Sequence, residues 1–152
     1  MIQTVTHIGI IVSDIRKSIH FYQDILGMYL QGEMEMKGRE TELLFNKKRI
    51  QVKLAYLSPE KKAQPPLIEL IQFTNKNGKK WNKGDFNATG IAEVCFIVQD
   101  IEKTYRDLRE RGIIFLSNPQ FFDYSSQGFG RSKAVYFRDP DGTILELLQT
   151  DI

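Results

Sequence analysis

Four side chains, His7, Glu69, Glu93 and Glu146, have types and settings that suit metal-assisted chemistry. Glu69 sits inside the apolar run LIELI at 67–71 and Glu146 inside ILELL at 144–148. A carboxylate between aliphatic neighbours in a strand must be neutralised, paired or given a cation. His7 opens the run HIGIIV, and Glu93 opens EVCFIV. One imidazole and three carboxylates form a hard, oxygen-rich donor set for one divalent metal ion. Mn, Fe, Co, Ni or Mg in near-octahedral geometry suits that set better than tetrahedral Zn. A metal with positions left to water or substrate polarises a carbonyl or binds an enediolate. A carboxylate that loosens from it can shuttle a proton on the adjacent carbon.

The elements that must carry these residues form an internal repeat. Residues 7–27 and 93–112 align from a shared Asp, with Ile11/Ile97, Val12/Val98, Asp14/Asp100, Ile15/Ile101 and Lys17/Lys103 identical. In each copy an alternating strand runs into the Asp, and apolar residues then recur at helical spacing: Ile15, Ile19, Tyr22 and Leu26, or Ile101, Tyr105 and Leu108. Asp14 and Asp100 stand where an N-cap accepts free N–H groups, and Gly27 and Gly112 where a left-handed residue ends the helix. LIELIQ at 67–72 matches ILELLQ at 144–149, which places Glu69 opposite Glu146.

Strands are expected at 28–35, 40–46, 49–57 and 67–73, and again at 113–116, 119–123, 132–138 and 143–149. The fold class is therefore α+β, with a βαβββ module over 1–73, a linker over 74–90 and a second βαβββ module over 91–152. Trp81 in the linker either docks it on the body or lies at a subunit contact. Units this small each leave a sheet face uncovered, so they should pair into one open, curved mixed sheet around a cleft.

Alternation assigns the faces. Ile8, Ile10 and Val12 take the helix side of the first strand, leaving His7, Gly9 and Ile11 opposite; Val94, Phe96 and Val98 do the same in the repeat, leaving Glu93 and Cys95 opposite. Glu69 and Glu146, flanked by helix-side aliphatics, also point away from the helices. Paired with approximate two-fold symmetry, the modules would bring all four candidate ligands to the floor of one cleft. Taken alone, His7 reads as a strand-edge histidine and Glu93 as a polar or salt-bridged residue; their recurrence at repeat-equivalent positions is what argues for a site. His20, beside the apolar helix face, reads as structural or interfacial. Phe129 and Arg131, in a Gly-Phe-Gly-Arg lip at 128–131, are candidate substrate contacts, the arginine as a fork for a carboxylate or phosphate or else a plain surface charge. DPDG at 139–142 reads as a tight turn.

Composition bounds the partners. The chain has 152 residues, 41% hydrophobic and 26% charged, with a net charge of +2, and its lysine pairs at 47–48, 61–62 and 79–80 are scattered. No basic stripe for nucleic acid and no apolar run of membrane-spanning length is present, so the expected partner is a small-molecule substrate. The start MIQTVTHIGIIV does not read as a basic leader, and the lone Cys95, in an apolar run, reads as a small buried hydrophobe in a reducing cytoplasm.

Three segments, HIGIIVSDIRKSIHFYQDILGM, GIAEVCFIVQD and YFRDPDGTILEL, resemble the vicinal oxygen chelate superfamily of glyoxalases, bleomycin-resistance proteins and extradiol dioxygenases. The resemblance covers essentially the whole chain. It implies paired βαβββ modules around a metal cleft, with ligands from the first and last strand of each module, here His7, Glu69, Glu93 and Glu146. It implies a glyoxalase I-like lyase or an acyl-CoA epimerase-like isomerase, with Glu146, assisted by Glu69, taking the proton, and a homodimer. Where the family usually carries His, this chain has Glu93, so the set is more anionic and favours a harder metal. It does not match the two His and one Glu that extradiol dioxygenases use for iron. A metal-free, antibiotic-type binding protein is the alternative within the family, and fosfomycin-type thiol or water transfer a third.

Overall fold

The strand–cap–helix pattern at each repeat folds as its residues dictate. In a computed structural model describing residues 2–74, 89–150 and 152, β1 (His7–Ile11) leads to α1 (Ile15–Ile19), and β5 (Val94–Ile97) leads to α3 (Ile101–Glu110). Asp14 accepts from the N–H groups of Arg16 and Lys17, and Asp100 from that of Lys103. A second tether recurs in both copies. Gln72 Oε1 accepts from Ile15 N at 3.1 Å, and Gln149 Oε1 from Ile101 N at 2.9 Å, so the closing strand holds the first free N–H of the helix.

The stretch from Asp14 to Gly27 is one residue longer than that from Asp100 to Gly112. The extra residue is taken up by a π-helical continuation, His20–Ile25, where Leu26 N reaches back five residues to Phe21 O at 3.0 Å. Both copies still stop on a left-handed glycine, Gly27 at φ 78° and Gly112 at φ 88°.

The chain divides into two units, Met1–Trp81 and Asn82–Ile152. In the first, β2 (Tyr29–Lys37), β3 (Gln51–Ser58) and β4 (Leu67–Phe73) join β1 in a four-stranded mixed sheet of order β1-β4-β3-β2. In the second, β6 (Gln120–Tyr124), β7 (Gly130–Arg138) and β8 (Ile144–Thr150) join β5 in the matching order β5-β8-β7-β6. In each sheet the first strand runs parallel to the last, and the other pairs are antiparallel. α1 packs on β3 and β4, and α3 on β8. On the sheet face that α1 covers lie Ile10, Val12, Ala55, Leu57, Ile68 and Leu70, all buried, as the alternation requires.

Two expected strands are corrected. Residues 40–46 are not a strand; Arg39–Leu44 is α2, a short helix entered through Gly38 at φ 95°. Its Leu43 and Leu44 are 70% and 69% exposed, so they do not serve the core that a strand there would have had to feed. Residues 113–116 contribute only an isolated bridge from Phe115 to Phe137. At 139–142 the turn is as expected: buried Asp139 accepts through Oδ1 from Asp141 N and Thr143 N, and Gly142 takes φ 97°. Trp81 and most of the expected linker lie outside the described residues. Among the described residues no helix is long and apolar enough to cross a membrane.

Candidate functional site

Strand register sets the surroundings of each acid. In the first unit Glu69, on β4, lies opposite Gly9 of β1 on one side and Tyr56 of β3 on the other. Its residue is 8% exposed, yet both carboxylate oxygens are engaged. Tyr56 Oη donates to Oε1 at 2.5 Å, and His7 Nε2 lies 3.3 Å from Oε2. The His7 and Tyr56 rings meet edge to face with centroids 6.2 Å apart. Burial, then the hydrogen bond and charge of Glu69, push the Tyr56 phenol up to about 12, so it remains a donor at neutral pH. On the other flank Gly9 leaves room: a Cβ there would stand 3.6 Å from Glu69 Oε2 and 3.0 Å from Ile71 Cδ1.

In the second unit Glu146, on β8, has Cys95 of β5 and Tyr136 of β7 as its register partners. Cys95 takes the place of Gly9, and Tyr136 that of Tyr56. Burial raises the Glu146 carboxyl above its ordinary value, the thiol hydrogen bond from Cys95 pulls it down, and the nearby charge of Glu93 pushes it up again. The Cys95 thiol is pushed up to about 12 by local burial and by its bond to Glu146, so the sulfur is held as a neutral donor. Tyr136 is also pushed up to about 12, by burial, by the charges of Glu146 and Glu93, and by a hydrogen bond with Glu93. The expectation of a buried cysteine is corrected: Cys95 is an exposed residue on the same sheet face as the acids. Its apolar run suggested burial, but the strand period, which put it opposite Val94 and Phe96, described it better.

Within each unit, therefore, the structure brings His7 to Glu69, and Glu93 with Cys95 to Glu146. Among the described residues no group of three or more His, Cys, Asp or Glu side chains is assembled as a metal cluster. The 3.3 Å between His7 Nε2 and Glu69 Oε2 is close to the ~3 Å edge between neighbouring donors that each stand ~2.1 Å from a hard divalent cation. The donor chemistry of this pair fits such an ion.

The expected substrate contacts lie elsewhere in the second unit. A 3-10 turn at Ser125–Gln127 leads through Gly128, at φ 84°, to Phe129, which is 83% exposed. Arg131 Nε donates to Asp123 Oδ2 at 3.0 Å, an exposed pair. Hydrogen bonds from Ser125 and then from Arg131 lower Asp123 to about 2. His20 is exposed and engages Asp24 at 2.7 Å, one turn along the same helix.

Tyr56 and Tyr136 are the site residues that the sequence reading missed. A signal existed in LAYL at 54–57 and AVYF at 134–137, a tyrosine in the strand preceding each acid-bearing strand.

The chain matches the model of the Glyoxalase/Bleomycin resistance protein/Dioxygenase superfamily over residues 4–147. It is 29% identical over 143 residues to the uncharacterized protein YraH of Bacillus subtilis, covering 92% of this chain and 93% of that protein. It is 28% identical over 144 residues to a probable lactoylglutathione lyase of Synechocystis, covering 95% and 93% of the two chains. A glyoxalase family protein from Bacillus cereus superposes with a TM-score of 0.80 at 19% identity, covering 99% of this chain and 95% of that one, a likeness of fold. With the family model spanning nearly its whole length and the repeated strand–helix frame in place, the chain belongs to the glyoxalase, bleomycin resistance protein and dioxygenase superfamily.

Proposed function

We propose that this protein is a metal-dependent lyase or isomerase of the glyoxalase or epimerase type, which chelates a small-molecule substrate through vicinal oxygens and moves a proton next to its carbonyl. The observation that carries this reading is the pair of repeat-equivalent acids, Glu69 and Glu146, each on the sheet face away from the helices and each flanked in the chain by buried aliphatics, Ile68 and Leu70 or Leu145 and Leu147, that face the other way. A metal-free apolar binding groove would gain nothing from two such carboxylates. The similarity to probable lactoylglutathione lyases adds support.

In this reading His7, Glu69, Glu93 and Glu146 hold one divalent ion, with Mn, Fe, Co, Ni or Mg favoured over Zn. When bound, the ion supplies Lewis-acid polarisation of the chelated oxygens. The remaining chemistry belongs to the chain. Glu146 takes and returns the proton, and its raised affinity for a proton brings it closer to the operating pH, where a general base works best. Glu69 assists, while Tyr56 keeps one of its oxygens occupied. Phe129 and Arg131 contact the substrate, the arginine by exchanging Asp123 for a substrate anion.

The test is proton exchange in deuterated water. Protein loaded with Mn, Co or Ni is incubated with the hemithioacetal of methylglyoxal and a low-molecular-weight thiol, and separately with an acyl-CoA bearing an epimerisable α-carbon. Deuterium entering the carbon next to the carbonyl is the expected result. No exchange with either class at any loading would overturn the assignment.

A further inference from the structure

We propose that the second unit carries a further small-molecule site, a pocket at the C-terminal end of α3 that takes a small carboxylate with a flat apolar body. The pocket lies on the helix side of its sheet, the side away from Glu146, and it stands independently of the metal reading above.

The pocket has a volume of about 600 Å³, within the usual range for small-ligand sites, and lies between the last turns of α3 and the segment that follows it. Phe115 fixes which side of the sheet it occupies. That residue bridges to Phe137, which pairs with the helix-side Leu145, whereas Tyr136 and Glu146 take the other face. The Tyr105 ring of α3 packs on the Phe115 ring with centroids 4.6 Å apart, and together with Ile113 the two rings give the pocket an apolar wall.

The polar groups beside that wall offer donors. Tyr105 Oη donates to Asn118 Oδ1 at 2.8 Å, which orients the amide and leaves its Nδ2 end to donate. Arg109 lies over the Tyr105 ring with its Cζ 5.5 Å from the centroid, and gives one N–H to the same hydroxyl at 3.4 Å. The hydroxyl is thereby satisfied on both sides, while the rest of the guanidinium fork is uncommitted. No carboxylate among the described residues pairs with Arg109, and none lines the pocket. The helix carbonyls do not oppose an anion there either, since Leu108 O and Arg109 O accept from Ile113 N and Gly112 N, both at 3.0 Å. A guanidinium fork and an amide N–H group beside two rings, with no acid among the lining residues, favour a carboxylate joined to an apolar ring over a neutral molecule or a bare anion.

The experiment titrates the full-length, isotope-labelled protein with benzoate and follows its backbone amides by NMR. Benzyl alcohol serves as the uncharged counterpart and inorganic phosphate as the anion without an apolar body. Wild type is compared with Arg109→Gln and, as a control, with Arg106→Gln, an exposed arginine of α3 that does not line the pocket. Dispersion of the amide signals checks that each variant folds. Benzoate is expected to move the amides of Arg109 and of residues 112–118, to leave those of Tyr136 and Glu146 in place, and to bind more tightly than either counterpart. Arg109→Gln should weaken benzoate binding by about 10-fold or more, as loss of a charge-assisted bond does, and Arg106→Gln should match wild type. The assignment is overturned if benzoate moves none of these amides, if it moves those of Tyr136 and Glu146 instead, if benzyl alcohol or phosphate binds as tightly, or if Arg109→Gln binds benzoate as wild type does.

Discussion

Around Glu69 the flanking positions are Gly9 and Tyr56; around Glu146 they are Cys95 and Tyr136. The frames are the same down to the glutamine that tethers each helix, Gln72 in one half and Gln149 in the other. Among the described residues the π-helical turn His20–Ile25 and α2 belong to the first half alone, and around the acids the divergence lies in side chains that face away from the helices. There glycine is set against cysteine, and His7 against Glu93. A duplicated scaffold can vary these residues without disturbing the core, because they share no packing with the helix side. Glu69 has both oxygens engaged, by Tyr56 and His7, whereas the Glu146 carboxyl is raised above its ordinary value by burial.

The largest expected effect breaks the comparison outright. Glu146→Gln should lower the rate of proton exchange by about 10²–10⁴-fold, as loss of a general base does, measured as deuterium incorporation. The same variant tests the electrostatics. The folded-state pKa of Glu146 is raised, so protonation favours the folded state below the ordinary glutamate value of about 4.3, and that contribution is lost as pH rises through the folded-state value. Urea unfolding across this range should show Glu146→Gln losing less stability with rising pH than wild type does.

Next in size are the caps. Asp14 accepts two backbone N–H groups and Asp100 one. Asp14→Ala and Asp100→Ala should each cost about 1 kcal/mol, or about 2–4 °C in Tm for a chain of this length, with Asp14→Ala the larger. Gln72→Ala and Gln149→Ala should each cost about 0.5–1.5 kcal/mol by thermal or denaturant unfolding, and similar values would confirm that the two halves share this device. The smallest effect sharpens the comparison. Cys95→Gly gives Glu146 the flank that Glu69 has. Because the thiol bond lowers the Glu146 pKa, its loss should move the acid limb of the pH–rate profile upward.

Much of the frame was legible because it is set by local rules. The Asp caps, the stopping glycines and the helix-facing aliphatics all follow from neighbours within a few residues, and each is found where the repeat put it. The misread parts depend on distant residues. GRETELLF alternates well enough for a strand, but no partner strand needs Leu43 and Leu44, and the segment coils into α2. Phe115 finds Phe137 for a single bridge, too little to extend a sheet. The π turn after α1 was foreshadowed only by the extra residue between Asp14 and Gly27. For the site, the acids stood out because charge among leucines is costly. Tyr56 and Tyr136 did not, since tyrosine is an ordinary strand residue until register sets it across from a carboxylate.

The most direct test of the account is the metal content of the purified protein by elemental mass spectrometry, after chelation and reloading with Mn, Co, Ni or Zn. Wild type is compared with Glu69→Gln, with folding checked by circular dichroism. The account predicts near-stoichiometric metal in wild type, with Mn, Co or Ni retained better than Zn, and loss of that metal in the variant. A folded wild-type protein that holds none of the four metals would contradict it and leave a metal-free small-molecule binding protein in its place.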